Sequence, residues 1–113
     1  MDAVAIANEW IEAFNAHDLP RILTHYHDDV VLSSPIALRL TGRAQVEGKV
    51  ALERYFDLGL QRAPHLKFTL IEVLPGATSL CVRYHTNVGD RAACECMEIG
   101  PDGRISRVLC HYV

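Results

Sequence analysis

One glutamate in an apolar strand is the residue of this sequence best placed for acid–base chemistry. Residues Ala92–Ile99 alternate as a β-strand does, and successive side chains of a strand point to opposite faces. Glu95 therefore shares a face with Ala93 and Met97. If that face turns inward, burial disfavours the ionised carboxylate and raises its pKa. Glu95 is our candidate catalytic acid or base, because such a group exchanges protons near neutral pH.

Two other interpretations of Glu95 stay open at this point. The carboxylate could form a structural ion pair with Arg83, Arg91 or Arg107, or it could face solvent. A one-residue change in strand register would instead bring His85 beside it. Only the sheet pairing can decide among these arrangements.

The cysteines and histidines do not form a predicted metal site. Four cysteines fall inside strand patterns, and we interpret them as reduced packing residues: Cys81, Cys94, Cys96 and Cys110. Cys94 and Cys96 share one strand face, yet no CxxC or HxxxH spacing accompanies them. His17, His25 and His27 are spaced so that no pair occupies one helical turn. A zinc site at the cysteines is only weakly indicated without such spacing, and we predict no metal ligands.

Length and composition restrict the class of protein. The chain has 113 residues, of which 50% are hydrophobic and 22% charged, so we expect one globular domain spanning 1–113. The formal charge of −3 argues against a nucleic-acid surface. No apolar run is long enough to span a membrane, and no targeting segment is recognisable. We expect a cytoplasmic protein that contacts neither nucleic acid nor membrane.

Two helices are predicted at the start of the chain. Apolar residues recur at three- and four-residue spacing over residues 3–15, which indicates an amphipathic helix. Asp18 is a suitable N-cap for a second helix, with Pro20 in its first turn. We expect this second helix to extend to about Tyr26.

Residues 28–59 are predicted to contain a short strand, an irregular segment and a third helix. Asp28 and Asp29 are predicted to stop the second helix, and residues 30–32 open a short strand. Residues 33–43 contain Pro and Gly and are predicted to be irregular. A third helix is expected over about residues 48–59.

The second half of the chain predicts four consecutive strands, at about residues 66–74, 80–86, 92–99 and 105–113. Pro101-Asp102-Gly103 is a strong hairpin turn between the last two. Helices separated in sequence from a run of strands indicate an α+β fold. We expect a curved antiparallel sheet with three helices from the N-terminal half over one face, forming a cone with an apolar interior. Such interiors bind small molecules.

Three motifs resemble a known family when taken in order. They are N-x-HDL-x-x-IL-x-x-Y-x-DD-V-x-x-x-SP from Asn15 onwards, the Gly-Arg pair before a helix ending Y-F-x-x-G-L, and the terminal D-G-R-I-x-R-x-x-x-H-Y. Together they resemble the SnoaL-like branch of the nuclear transport factor 2-like superfamily, over nearly the whole chain. The resemblance implies a conical, cystatin-like α+β fold, an internal pocket and a homodimer formed through the outer sheet face. Because the superfamily includes isomerases, cyclases, dehydratases and non-catalytic binding proteins, the fold does not select an activity.

The resemblance also allows ketosteroid isomerase to be tested residue by residue. In that branch the base is an Asp just before the Pro of the first motif, where this chain has Ser34. The tyrosine donor on the first helix is matched by Trp10, and the acid on the penultimate strand by Glu95. A lone serine is not a general base, and an indole cannot shuttle a proton. Steroid isomerisation is therefore not expected.

The substrate-binding residues that we predict are aromatic, apolar or small: Trp10, Phe14, Tyr26, Ser34, Phe56, Val82, Tyr84, Val108 and Tyr112. Leu32, Tyr55, Leu60 and Cys110 are further candidates for the pocket wall. The alternative is that these side chains fill a solid core and leave no cavity.

Two functions remain open from the sequence. The first is cofactor-independent proton transfer on a hydrophobic small molecule, of isomerase, cyclase, dehydratase or lyase type, with Glu95 as the acid or base. Trp10, Tyr26 and Ser34 would position the substrate. The second is a non-catalytic ligand-binding or dimerisation module. An epoxide hydrolase ranks third, because its Asp-Arg-Asp constellation has no match here.

Overall fold

The protein consists of four helices and six strands. A computed structural model describes all residues 1–113, with α1 Ala3–Asn15, α2 Leu19–Leu23, β1 Tyr26–Ser33, α3 Pro35–Thr41, β2 Gln45–Glu47, α4 Lys49–Arg62, β3 Phe68–Pro75, β4 Ser79–Thr86, β5 Arg91–Ile99 and β6 Ile105–Tyr112. The curved sheet has the strand order β2-β1-β6-β5-β4-β3. These elements confirm the predicted α+β class.

The sheet is mixed, which corrects the prediction of a wholly antiparallel sheet. β1 pairs with β6 in parallel, whereas the other neighbouring strands are antiparallel. The reason is topological. After β1 the chain passes through α3, β2 and α4 and then forms the β3–β6 meander, whose last strand returns beside β1 in the same direction.

α1 is fastened to the sheet by its apolar face. Asp2 caps the helix, because its side chain accepts a hydrogen bond from the backbone N–H of Ala5 at 3.0 Å. Trp10 is fully buried, and its indole Nε1 donates to the hydroxyl of Tyr26 at 2.9 Å. Phe68 of β3 stacks on the same indole with ring centroids 5.6 Å apart. Through these two contacts Trp10 joins α1 to both β1 and β3.

The segment predicted to be irregular contains a short helix. Ser34 caps α3 by accepting a hydrogen bond from the backbone N–H of Ile36 at 3.1 Å, and Pro35 occupies its first turn. Gly42 ends it in the left-handed conformation, with φ of 81°. The chain therefore has four helices rather than three. The short β2 strand that follows was not predicted either.

The boundary between α2 and β1 also differs from the prediction. α2 ends at Leu23, and β1 already begins at Tyr26. Asp28 and Asp29 are exposed within this strand, at an irregularity in its pairing with β6, so they do not stop a helix. The third predicted helix corresponds to α4, which continues to Arg62.

The four C-terminal strands lie close to their predicted positions. β4 shows strict alternation between buried and partly exposed side chains, as a half-buried strand should. α1 packs against β3, and α4 packs against β1. None of the helices combines the length and apolar character needed to cross a membrane.

Candidate functional site

A cavity of about 230 Å³ lies between the helices and the inner face of the sheet. α3, α4 and the four C-terminal strands all contribute to its wall, which is predominantly apolar. Its charged lining side chains are three arginines and one glutamate: Arg39, Arg62, Arg91 and Glu95. Glu95 is the one carboxylate in this wall.

Glu95 is buried on the inner face of β5 and is 6% exposed. The hydroxyl of Tyr84 donates a hydrogen bond to its Oε2 at 2.6 Å, and the thiol of Cys110 donates to its Oε1 at 3.4 Å. The strand register explains both contacts. Cys110 is directly opposite Glu95 on β6, and Tyr84 is its diagonal neighbour on β4, opposite Ala93.

Desolvation dominates the acid–base behaviour of Glu95. Burial raises the pKa of this carboxyl to about 7, while the hydrogen bonds from Tyr84 and Cys110 oppose the rise. The group is thus half ionised near neutral pH, which suits both donation and acceptance of a proton.

No cation neutralises this carboxyl. Arg83 instead binds Glu72 at 2.5 Å, and His85 contacts Asp90 at 2.7 Å. The structural ion-pair interpretation and the alternative register with His85 are therefore both wrong.

Two tyrosines supply further hydroxyl groups to the cavity wall. Burial raises the pKa of Tyr55 to about 12 and moves that of Tyr112 well above its usual value. Both hydroxyls therefore stay protonated at neutral pH and are able to donate hydrogen bonds to a ligand.

Arg91 contributes a cation whose hydrogen-bonding capacity is not used internally. Its guanidinium carbon lies 4.7 Å from the centroid of the Tyr112 ring, in a cation–π arrangement. Its Nε is buried without a hydrogen-bond partner. An unsatisfied buried donor is unfavourable, so this N–H is well suited to a ligand oxygen.

The structure brings part of the predicted set together around the cavity. The predicted residues that line it are Phe14, Phe56, Tyr84, Glu95 and Tyr112, and the further candidates Leu32, Tyr55, Leu60 and Cys110 also do so. These residues come from α1, β1, α4 and β4–β6, so the fold assembles the wall from distant parts of the sequence.

The remaining predicted residues, Trp10, Tyr26, Ser34, Val82 and Val108, lie outside the cavity wall. Trp10 and Tyr26 hydrogen-bond to each other in the core, and Ser34 caps α3. Their polar groups are therefore occupied within the protein, and we no longer assign them a substrate-positioning role. Val82 and Val108 are fully buried packing residues.

The side of the cavity formed by α3 was not predicted from the sequence. Ile36, Arg39 and Leu40 line it, and Arg91 of β5 also lines the cavity. The signal was available, since Ser34-Pro35 followed by Gly42 is the N-cap, first-turn proline and C-terminal glycine pattern of a helix.

These features define a curved α+β domain with one ionisable acid inside an apolar cavity. The SnoaL-like domain family matches residues 7–108, and the chain belongs to this family.

Solved structures agree with this assignment. A SnoaL-like protein of unknown function from Burkholderia thailandensis is 36% identical, with a TM-score of 0.94 over 98% of this chain and 93% of that one. A candidate polyketide cyclase from Sinorhizobium meliloti is 19% identical, with a TM-score of 0.79 over 95% and 94%. A candidate ketosteroid isomerase from Kribbella flavida is 20% identical, with a TM-score of 0.76 over 96% and 76%. The last two likenesses show the fold alone, and comparison with curated proteins gives no significant match.

The raised pKa of Glu95 predicts a pH-dependent stability. The unfolded carboxyl releases its proton near 4.5 and the folded one near 7, so folding loses about 3 kcal/mol as the pH rises through this interval. Glu95→Gln removes the ionisation, and its free energy of unfolding should exceed that of the wild type increasingly between these pH values.

Urea unfolding at several pH values measures this difference. Glu98→Gln is the matched control, because Glu98 is exposed on the same strand. Parallel stability curves for the wild type and Glu95→Gln would contradict the assignment.

Proposed function

We propose that this SnoaL-like protein catalyses cofactor-independent proton transfer on a hydrophobic small molecule, of isomerase, cyclase or lyase type. Glu95 is the proposed catalytic acid or base. The observation that carries the proposal is a buried carboxyl with a pKa of about 7, without an ion-pair partner, in an apolar cavity.

The cavity supports a simple reaction geometry. The apolar wall binds the hydrophobic body of the substrate and excludes water. The ionised form of Glu95 removes a proton from a carbon beside a carbonyl, and the same carboxyl returns it to another position. The negative charge that develops on the carbonyl oxygen requires a donor, for which the unpartnered Nε of Arg91 and the hydroxyl of Tyr55 are available.

A non-catalytic binding module is the second candidate, and one observation favours it. Both carboxyl oxygens of Glu95 already accept internal hydrogen bonds, from Tyr84 and Cys110. A carboxyl held in this way could serve to fix a polar group of the ligand without moving a proton.

Deuterium exchange separates the two candidates. We expect the wild type to accelerate exchange beside the carbonyl in a panel of mono- and bicyclic ketones in D₂O, with a rate that rises through pH 7 as Glu95 ionises. Glu95→Gln should reduce this rate at least about 100-fold, whereas Glu98→Gln leaves it unchanged. Mass spectrometry of the ketone measures the exchange.

Exchange that survives in Glu95→Gln would contradict the catalytic role. Ketone binding without exchange in the wild type would favour the binding module.

We also propose a homodimer formed through the outer face of the sheet. Leu74 and Leu109 lie on this face and are 50% and 39% exposed. Leu74 is paired with Cys81 of β4, which is paired with Cys96 of β5, and Cys96 is in turn paired with Leu109. These four side chains form an apolar row across the sheet, which is suited to a self-complementary contact.

Light scattering tests the assembly. The wild type should have twice the mass of one chain at tens of micromolar, and Leu109→Glu should be monomeric because it places a charge in the contact. Val50→Glu, at an exposed position on α4, is the control. A monomeric wild type would rule out the dimer.

A further inference from the structure

A second group of reactive side chains lies on the outer face of the sheet, away from the cavity. Cys81 of β4 is directly opposite Cys96 of β5, and Cys94 lies on the same face two residues along β5. The Sγ atoms of Cys81 and Cys96 are 3.0 Å apart, and the three Sγ atoms lie within 4.8 Å of one another. Cys81, Cys94 and Cys96 are named the thiol cluster.

We propose that the thiol cluster binds one thiophilic metal ion of the Zn²⁺ type. Thiolate sulfur is the ligand that Zn²⁺ and other soft cations prefer. With Zn–S bonds of about 2.3 Å, a tetrahedral ion separates its sulfurs by about 3.8 Å. This separation is longer than the 3.0 Å between the Sγ atoms of Cys81 and Cys96 and shorter than the 4.8 Å within which all three sulfurs lie, so small side-chain movements bring the sulfurs to the distances that the ion needs.

The exposure of these cysteines distinguishes them from ordinary packing residues. Each member of the thiol cluster is partly exposed, whereas Cys110 is buried in the cavity wall. A metal ion from solvent therefore reaches the three sulfurs without opening the core. A cysteine retained only as a small hydrophobe has no reason to meet two others at a surface.

The net charge of the loaded site follows from its ligands. Binding converts three thiols to thiolates, releases three protons and leaves a complex with a net charge of −1. Arg83, the cross-strand partner of Cys94, places its guanidinium on the same face, where it is paired with Glu72. The three sulfurs come from one chain, so the site is complete in the monomer, where its fourth position is open to water. Because Cys81 and Cys96 also belong to the proposed dimer contact, metal binding and that contact compete for the same face.

The site also explains why no zinc motif was found in the sequence. Two ligands lie two residues apart on β5 and the third lies on the neighbouring strand, so the cluster depends on the β4–β5 register rather than on a CxxC spacing. Bound metal would crosslink these strands and stabilise the sheet that carries Tyr84 and Glu95.

Cobalt is a spectroscopic probe for this site. The reduced protein, titrated with Co²⁺, should develop thiolate-to-cobalt charge-transfer bands and tetrahedral d–d bands that saturate at one ion per chain. Zn²⁺ should displace the cobalt and raise the melting temperature, and a chelator should reverse this rise. Cys81→Ser, Cys94→Ser and Cys96→Ser should each lose the bands.

Cys110→Ser is the matched control and should keep the bands, because Cys110 lies on the opposite face. Circular dichroism confirms that each variant is folded. Absence of the bands in the folded wild type, or their retention in Cys94→Ser, would overturn the proposal.

Discussion

The desolvation of one carboxyl group governs the chemistry that this fold makes available. Glu95 lies at the inner face of the sheet, where water cannot solvate its charge and no cation replaces that water. The hydrogen bonds from Tyr84 and Cys110 only partly compensate, so the proton is held until about pH 7. The surrounding architecture matters because it maintains this environment. If the cavity admitted bulk water or an arginine reached the carboxyl, Glu95 would become an ordinary ionised glutamate.

The rest of the structure keeps the surroundings of this carboxyl apolar and holds its neighbours in place. The register of β4, β5 and β6 places Tyr84 and Cys110 on the two oxygens of Glu95. The buried Trp10–Tyr26 hydrogen bond anchors α1 beneath the cavity, and α3 and α4 close its other side. Because ionisation of a buried carboxyl is unfavourable, Glu95 lowers the free energy of unfolding at neutral pH. Functional groups in proteins commonly reduce stability in this way. The core residues therefore hold the structure in place, and the cavity residues provide the groups that could react with a substrate.

Features that depend on local sequence patterns were predicted well, whereas contacts between residues distant in sequence were not. Alternation along β5 was sufficient to put Glu95 on one face with Ala93 and Met97, because the side-chain period of a strand is two, but only the sheet pairing showed that this face turns inward. The same reasoning could not identify its partners, since Tyr84 and Cys110 depend on register across three strands. The parallel β1–β6 pairing joins residues far apart in sequence, and α3 was missed because a seven-residue helix bounded by Pro35 and Gly42 resembles a loop. Trp10 and Tyr26 carry polar groups typical of a binding site, yet they satisfy each other in the core.

The most direct test of this account is the titration of the Glu95 carboxyl itself. Glutamate labelled with ¹³C at the side-chain carboxyl carbon would be followed by NMR across the pH range, and Glu95→Gln would assign the resonance. The account predicts that the Glu95 carboxyl titrates near 7, well above the ordinary glutamate value of about 4.5. A midpoint for Glu95 at or below the ordinary value of about 4.5 would show that the cavity does not desolvate this group, and the proposed acid–base role would then have no physical basis.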